Sequence, residues 1–197
     1  MNTPQGLRWA HGSSKVNKSF AVLWILVALA IPFACGVLVS YSASTLLIIL
    51  ITIVPVWLLA ALTLLAFAVF NAIKKRWGIS LYRLAAGMIA TASLILIPVG
   101  IDAGYYLRLW SFQNYYEAEV AKLPKDNNPR FRLFDWGGYF IFNTIVLAYD
   151  ESDELSLAPG KQSPEWTART NERTGGFFGG KWTAEHLQGH YYVVTTY

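Results

Sequence analysis

The longest uncharged stretch of the chain runs from Ser19 to Ile73, which is 55 consecutive residues without Asp, Glu, Lys or Arg. A helix rises about 1.5 Å per residue, so about 20 apolar residues cross the roughly 30 Å hydrocarbon core of a bilayer. The stretch is therefore long enough for two crossings. The small and polar residues at 40–44 suit a tight reversal, which predicts helices over about 20–40 and 45–73.

A second uncharged run, Leu84–Ile101, predicts a third membrane helix over about 84–107. Tyr and Trp residues follow it, as is typical of the membrane–water interface. The predicted transmembrane domain therefore covers 20–112. The next segment, 113–123, contains good helix formers without Gly or Pro, which predicts a helical stalk that leaves the membrane.

The charges beside these segments predict the orientation. Cytoplasmic loops carry an excess of Lys and Arg. The loop between the first two predicted helices has no charge, whereas basic residues occupy the tail 1–19 and the next loop: Arg8, Lys15, Lys18, Lys74, Lys75, Arg76 and Arg83. We therefore predict a cytoplasmic N-terminus and a C-terminus on the far side of the membrane.

Residues 124–197 predict a small α+β domain with a mostly antiparallel sheet. Gly137-Gly138 is a turn signal between strand-like runs at Arg130–Trp136 and Tyr139–Tyr149, and Gly189–Tyr197 is rich in β-branched and aromatic residues. Ser163 before Pro164 is a helix start, and it predicts a helix that ends near Arg173. The predicted fold class is thus membrane α-helical, with three transmembrane helices and this α+β domain.

The net charge of +4 is unevenly distributed along the chain. Residues 1–112 hold eight basic residues and one acid, whereas 113–197 hold eight basic and eleven acidic residues, a net charge of −3. The positive charge flanks apolar segments, which favours contact with the lipid bilayer and argues against nucleic acid as a partner. Cys35 stands alone and cannot form an intrachain disulfide.

Three residues near the end of the third predicted helix are candidates for helix packing. Gly100 and Gly104 have the spacing at which small residues let helix backbones approach closely, and they bracket Asp102. An acid close to a bilayer is costly and often functional, but Asp102 lies near the helix end where water reaches. We predict a helix-packing role for all three residues, within the chain or in a homo-oligomer.

The candidate partner-binding surface consists of acids and aromatic residues in the C-terminal domain. Acids favour a basic partner, and aromatic side chains supply contact area. The candidates are Asp150, Glu151, Asp153, Glu154, Phe177, Phe178 and Trp182. The acids lack the glycine and ligand spacing of an EF-hand, so a solvated turn is the other interpretation. For Phe177 and Trp182 the alternative is insertion into the domain core.

One pair of histidines has spacing that also occurs in zinc sites. His186 and His190 lie four residues apart, but Gly189 interrupts a helix there and no third ligand is evident. The sequence has no Ser–His–Asp spacing, phosphate loop or C-x-x-C motif. We predict no metal, no cofactor and no catalytic residue, and keep an enzyme that uses these histidines or the 150–154 acids as an alternative.

Three segments resemble a group of uncharacterised bacterial inner-membrane proteins with a small periplasmic C-terminal domain. The segments are Tyr149–Glu154, Gln162–Trp166 and Gly189–Tyr192. The resemblance implies the inner membrane of a Gram-negative bacterium, with the C-terminus in the periplasm. It implies no reaction and no functional residues. We predict a membrane-anchored periplasmic protein-interaction module, such as an immunity protein against a membrane- or periplasm-acting toxin; the alternative is an accessory subunit of an envelope complex or transporter.

Overall fold

The computed structural model describes residues 13–42, 45, 48–124, 128–138 and 143–197. Parts of three predictions lie outside the described residues: the reversal at 40–44, the start of the domain predicted for 124–197 and the start of the strand predicted for Tyr139–Tyr149. Most of the basic tail at 1–19, with Arg8, lies outside them too.

The N-terminal part of the chain is helical. Within the described part of the chain, three segments are long and apolar enough to cross a membrane: Val22–Tyr41, Ile49–Ile73 and Trp77–Ser111. They belong to α1 (Ser13–Tyr41), a π-helical turn (Ile49–Ile53) with α2 (Val54–Ile73), and α3 (Trp77–Ala92), joined by a 3₁₀ turn (Ser93–Ile95) to α4 (Leu96–Ser111). The chain is a multi-pass membrane protein, and the predicted fold class is confirmed.

The third membrane helix begins at Trp77, before the predicted start near residue 84. The reversal is confined to Lys74–Arg76, where Lys75 has a left-handed backbone with φ 58°. The first turns of α3 then pack on α2, since Ser80 Oγ donates to the carbonyl of Ala68 at 2.8 Å. Charge at Arg83 limits the part of a helix that can lie in lipid, but it does not stop the helix itself, which explains the difference.

The chain divides into two compact units, each described by itself. The helical unit is Met1–Gly36 with Ile49–Gly100, and the C-terminal unit is Val37–Ile48 with Ile101–Tyr197. In the helical unit Trp24 and Trp57 stack with ring centroids 6.0 Å apart. Trp57 Nε1 donates to the carbonyl of Ala90 at 2.9 Å, which fixes α2 against α3.

The glycines predicted to pack helices bring α1 and α4 together. A Cβ atom at Gly100 would lie 2.2 Å from the carbonyl oxygen of Phe33, and one at Gly36 would lie 2.1 Å from that of Ile97. In the C-terminal unit a Cβ at Gly104 would lie 2.1 Å from Ser40 Oγ. Asp102 is different, because its side chain is exposed. Gly100 and Gly104 thus lie at close approaches within the chain, and Asp102 does not share that packing.

The C-terminal unit contains a four-stranded antiparallel sheet in the order β1-β2-β4-β3. The strands are β1 (Phe131–Gly137), β2 (Thr144–Asp150), β3 (Trp182–Gln188) and β4 (Tyr191–Thr196). Every residue of β2 after Thr144 is buried, as befits a central strand covered on both faces. The predicted mostly antiparallel sheet is confirmed, and β2 lies inside it.

Helices cover both faces of this sheet. On one face, α4 and the following helix α5 (Gln113–Ala121) contribute Leu109, Tyr116 and Val120 to a core with Leu147 and Val193. On the other face, α6 (Pro164–Thr174) contributes Trp166 to a core with Phe131 and Val194. Because successive side chains of a strand point to opposite faces, β2 and β4 supply both cores.

The segment predicted as a stalk is part of the domain. Tyr116 and Val120 of α5 are buried, and Trp136 Nε1 donates to Tyr116 Oη at 2.9 Å. A segment of good helix formers without Gly or Pro is compatible both with a free stalk and with a helix packed on the domain. The burial of Tyr116 and Val120 shows that it is packed. The sheet is consequently held directly against the continuation of the third membrane helix.

The predicted helix near 164–173 is confirmed, and its ends have the expected chemistry. Ser163 Oγ accepts a hydrogen bond from the backbone N–H of Trp166 at 3.1 Å, and Pro164 opens the helix. Gly175 ends it with a left-handed φ of 62°.

The segment before His190 forms β3 (Trp182–Gln188), a strand that the sequence analysis did not predict. The polar residues of this edge strand give little alternation, and a register irregularity between His186 and Gln188 disturbs the pattern further. Pairing with β4 decides its conformation over local preference.

Candidate binding site

The first of the predicted partner-binding acids, Asp150, is fully buried at the end of β2. Its carboxylate accepts hydrogen bonds from Trp166 Nε1 at 3.1 Å and from the backbone N–H of Leu155 at 3.0 Å. It also accepts from the Ser152 backbone N–H at 3.2 Å and hydroxyl at 2.6 Å. Asp150 therefore closes the loop after β2 onto α6, and it has no surface with which to touch a partner.

Glu151 is paired with Arg130 across the β1–β2 end of the sheet. Arg130 donates from Nη2 to Glu151 Oε1 at 2.7 Å and from Nε to both carboxylate oxygens, and its backbone N–H donates to Oε2 at 2.8 Å. These side-chain and backbone hydrogen bonds lower the pKa of Glu151 to about 2. The pair neutralises its own charges.

Asp153 and Glu154 also serve the loop's internal structure. Asp153 Oδ1 accepts a hydrogen bond from Tyr192 Oη at 2.9 Å and lies 2.8 Å from His190 Nδ1. Burial favours a raised pKa for Asp153, but these hydrogen bonds outweigh it and lower the pKa. Glu154 accepts from the backbone N–H of Ser163 at 2.5 Å and from its hydroxyl at 2.9 Å, which secures the start of α6.

The predicted aromatic contacts belong to the domain core. Trp182 is only 6% exposed, and Phe177 and Phe178 are partly buried against the same core. The Phe178 ring lies 5.2 Å from that of Trp166 and 5.3 Å from that of Trp182. The alternative stated for Phe177 and Trp182, insertion into the core, is the arrangement found.

The two histidines have separate partners. His186 Nε2 lies 2.8 Å from the carbonyl oxygen of Gly189, whereas His190 faces Asp153. Among the described residues, no group of three or more His, Cys, Asp or Glu side chains could hold a metal ion.

A cleft of about 360 Å³ lies beside this loop, within the C-terminal unit. Its first wall is one face of α4 and α5, formed by Leu109, Gln113, Glu117, Val120 and Ala121. Its second wall is formed by the sheet end and the turn between β3 and β4: Arg130, Tyr149, Gln188, Gly189, His190 and Tyr191. Most of the cleft surface is apolar, and the lining also includes charged and amide side chains, among them Glu117, Arg130 and Gln188.

Two tyrosine rings meet in the cleft. The rings of Tyr149 and Tyr191 pack edge to face, with centroids 5.2 Å apart. Burial, followed by the negative charge of Glu117, raises the pKa of Tyr191 to about 12. Burial is also the main cause of the raised pKa of Tyr149. Both phenols are therefore neutral at physiological pH, and the rings offer uncharged walls to a ligand.

The sequence interpretation missed the helical wall, although a signal for it exists. Leu109, Gln113 and Glu117 follow one another at four-residue spacing, so they share a helix face. The second wall has no such local signal, because Arg130 and His190 reach their partners over 21 and 37 residues of chain.

The Arg130–Glu151 pair makes the stability of the domain pH-dependent. The Glu151 pKa is about 2 when folded and about 4.3 in an unfolded chain, so ionisation stabilises the fold above about pH 4.3. That stabilisation is lost as the pH falls toward 2. We expect Glu151→Gln to lower the melting temperature of the detergent-solubilised chain by about 2–4 °C at pH 7.

The difference between wild type and Glu151→Gln should shrink as the pH is lowered from 5 to 2.5, in a thermal scan followed by circular dichroism. Glu172→Gln, on the exposed surface of α6, is the matched control and should follow the wild type throughout. A Glu151→Gln deficit that is the same at pH 7 and pH 2.5 would contradict an ionic origin.

The cleft combines apolar walls, aromatic rings and a few charged groups at its edge, as do sites that bind one ligand selectively. The acids at 150–154 flank it and hold its second wall in place through Arg130 and His190. Protein-family models, curated proteins and solved structures provide no match to this chain.

Proposed function

We propose that this chain is a protein-interaction module anchored in a bacterial inner membrane, with its N-terminus in the cytoplasm and its C-terminal unit in the periplasm. The observation that supports it best is the cleft between the α4–α5 face and the β3–β4 turn. Leu109, in one wall, belongs to the third membrane-spanning segment. A partner in the cleft would therefore touch the continuation of a membrane helix.

The charge of the C-terminal region favours a basic partner. Residues 113–197 carry a net charge of −3, and opposite charge on a partner speeds association and selects against acidic competitors. Because such steering is screened by salt, with a Debye length of about 10 Å at 0.1 M, binding should weaken as the salt concentration rises.

Site-specific photocrosslinking tests the proposal in intact cells. A photoreactive amino acid at Gln188, an exposed residue on the cleft, should form a covalent adduct with a discrete partner protein. The same amino acid at Glu172, exposed on α6, should not form that adduct. In solubilised membranes the Gln188 adduct should decrease between about 0.05 and 0.5 M salt.

Two results would count against the proposal. One is a Gln188 adduct pattern equal to that at Glu172, which would mean random encounters. The other is an adduct only with lipid, which would assign the cleft to the membrane and not to a protein.

The proposed orientation has its own test. Alkaline phosphatase is active only in the periplasm, so a fusion after Tyr197 should be active and a fusion after Arg76 inactive. The reason is the cluster of Lys74, Lys75, Arg76 and Arg83, which favours the cytoplasmic side. An active Arg76 fusion together with an inactive Tyr197 fusion would reverse the topology.

The crosslinked partner would distinguish two versions of the function. An immunity protein would be crosslinked to a toxin that acts in the membrane or periplasm, and its loss would sensitise cells to that toxin. An accessory subunit would instead be crosslinked to a resident envelope complex or transporter and would copurify with it. The small α+β domain that follows the membrane helices, with its cleft, supports the first version.

The pair formed by Asp153 and His190 supports one candidate from another class, a small enzyme. Carboxylate–imidazole pairs orient a general base, and His190 lines the cleft. An enzyme predicts that His190→Ala abolishes the cellular phenotype while crosslinking at Gln188 persists. A binding module predicts that the phenotype and the crosslink are lost together.

A further inference from the structure

We infer that the cleft receives a lysine or arginine side chain of the partner protein, with Glu117 as its counter-ion and the rings of Tyr149 and Tyr191 as its walls. The inference rests on the proposed function and moves the point of recognition from the 150–154 acids to α5. It is drawn from the charges that face the cleft, from the shape of its walls and from its size.

The two basic side chains at the cleft already have acidic partners. Arg130 is held by three side-chain hydrogen bonds to Glu151 and one to Tyr149 Oη at 3.3 Å. His190 faces Asp153 across 2.8 Å. Neither residue leaves an uncompensated positive charge to attract an anion.

Glu117 is the charged group of the cleft that lacks a counter-ion among the described residues. Its Oε1 accepts a hydrogen bond at 2.7 Å from the neutral amide of Gln113. The other neutral polar group nearby, Gln188, adds no charge. The unpaired charge at the cleft is therefore negative. It helps to raise the pKa of the Tyr191 phenol, whereas Arg130 lowers that pKa.

The walls suit the remainder of a basic side chain. Lys and Arg carry apolar stems that pack on apolar surface while the charged group stays near water. Leu109 and Val120 offer such a surface, and the Tyr149 and Tyr191 rings offer faces or edges to the stem and cation. Glu117 is exposed on α5, so the ammonium or guanidinium group would remain hydrated at the opening.

The volume of about 360 Å³ is at the lower end of the roughly 300–1,000 Å³ typical of ligand pockets. A space of that size fits one long side chain with its own backbone. The structure thus assigns the cleft to a single anchoring residue of a protein partner, and the surrounding surface to weaker contacts.

Three small probes test this on the full-length chain in detergent: the N-acetyl methylamides of lysine, norleucine and glutamate. Norleucine has the stem of lysine without the ammonium group, and glutamate carries the opposite charge. Ligand-observed NMR titration should give millimolar binding of the lysine compound. Binding should be about two- to fivefold weaker for norleucine, with none detected for glutamate.

Glu117→Gln removes the charge with little change in shape. It should weaken binding of the lysine compound about two- to fivefold and leave binding of norleucine unchanged, whereas Glu172→Gln should alter neither. Circular dichroism spectra that match the wild type establish that the fold is retained. Equal affinity of wild type and Glu117→Gln for the lysine compound, or a preference for the glutamate compound, would overturn the inference.

Photocrosslinking at Gln188 separates this inference from the proposed function. If the partner adduct persists at full yield in Glu117→Gln, the cleft residue assigned here is wrong although the protein is still an interaction module. If the wild type forms no partner adduct, the proposed function itself fails, and the probe titration then decides the chemistry of the cleft by itself.

Discussion

Gly100→Ala is expected to destabilise the helical unit by about 2–3 kcal/mol, because a single methyl group has no room between α1 and α4. The new Cβ would lie 2.2 Å from the Phe33 carbonyl oxygen and 3.0 Å from Gly36 Cα. Both atoms belong to backbone, so no side chain can rotate away. The helices must separate, and the contacts on both sides of the glycine weaken together. Gly36→Ala should behave alike, since its Cβ would meet the Ile97 carbonyl at 2.1 Å.

Gly78→Ala is the matched control for this change. Gly78 also lies in a helix, but a Cβ atom there meets nothing within 4 Å. Alanine is the better helix former by about 1 kcal/mol, so this variant should be neutral or slightly more stable. The measurement is the denaturant midpoint of the purified chain in micelles. Equal midpoints for Gly100→Ala and Gly78→Ala would show that α1 and α4 are not in close contact.

The membrane segments could be predicted from sequence because they depend on local properties. An uncharged run such as Ser19–Ile73 needs no knowledge of its neighbours to indicate two crossings. The same holds for α6, whose Ser163 cap and Gly175 terminus are chemical signals within a few residues. The ends of the helices were predicted less accurately, since α3 begins at Trp77 and not near residue 84.

The binding site could not be predicted in the same way, because its parts come from distant segments. The cleft exists only when α5 packs against the sheet and the β3–β4 turn lies beside Tyr149. A strand order of β1-β2-β4-β3 is not encoded in any short pattern, and β3 itself was missed. Four acids within five residues were interpreted as a surface because acids are usually exposed. Yet Asp150 is buried, and the other three are held by side chains and backbone groups from other segments: Arg130, His190, Tyr192 and Ser163.

Asp150→Ala is expected to destabilise the C-terminal unit by about 3–5 kcal/mol, since it removes an acceptor that four donors share. The donors left behind are the Trp166 indole N–H, the Leu155 backbone N–H, and the backbone N–H and hydroxyl of Ser152. Asp150 has no exposed surface, so water cannot replace the carboxylate without opening the core. The loop after β2 and the start of α6 should therefore separate from the sheet.

Asp150→Asn isolates the hydrogen-bond contribution, because it has the same shape but replaces one acceptor oxygen with a donor. It should cost about 1.5–3 kcal/mol, less than alanine. Asp135→Asn is the matched control: Asp135 is exposed, and its single hydrogen bond, from the Gly137 N–H at 2.7 Å, can be kept by the amide oxygen. Hydrogen exchange followed by mass spectrometry should show faster exchange at 150–170 in both Asp150 variants and none of that change in Asp135→Asn.

Because this loop also holds Arg130 and His190 in the cleft wall, binding of the lysine compound should weaken in the Asp150 variants. Rapid exchange at 150–170 with unaltered binding would separate the loop from the cleft and contradict that link.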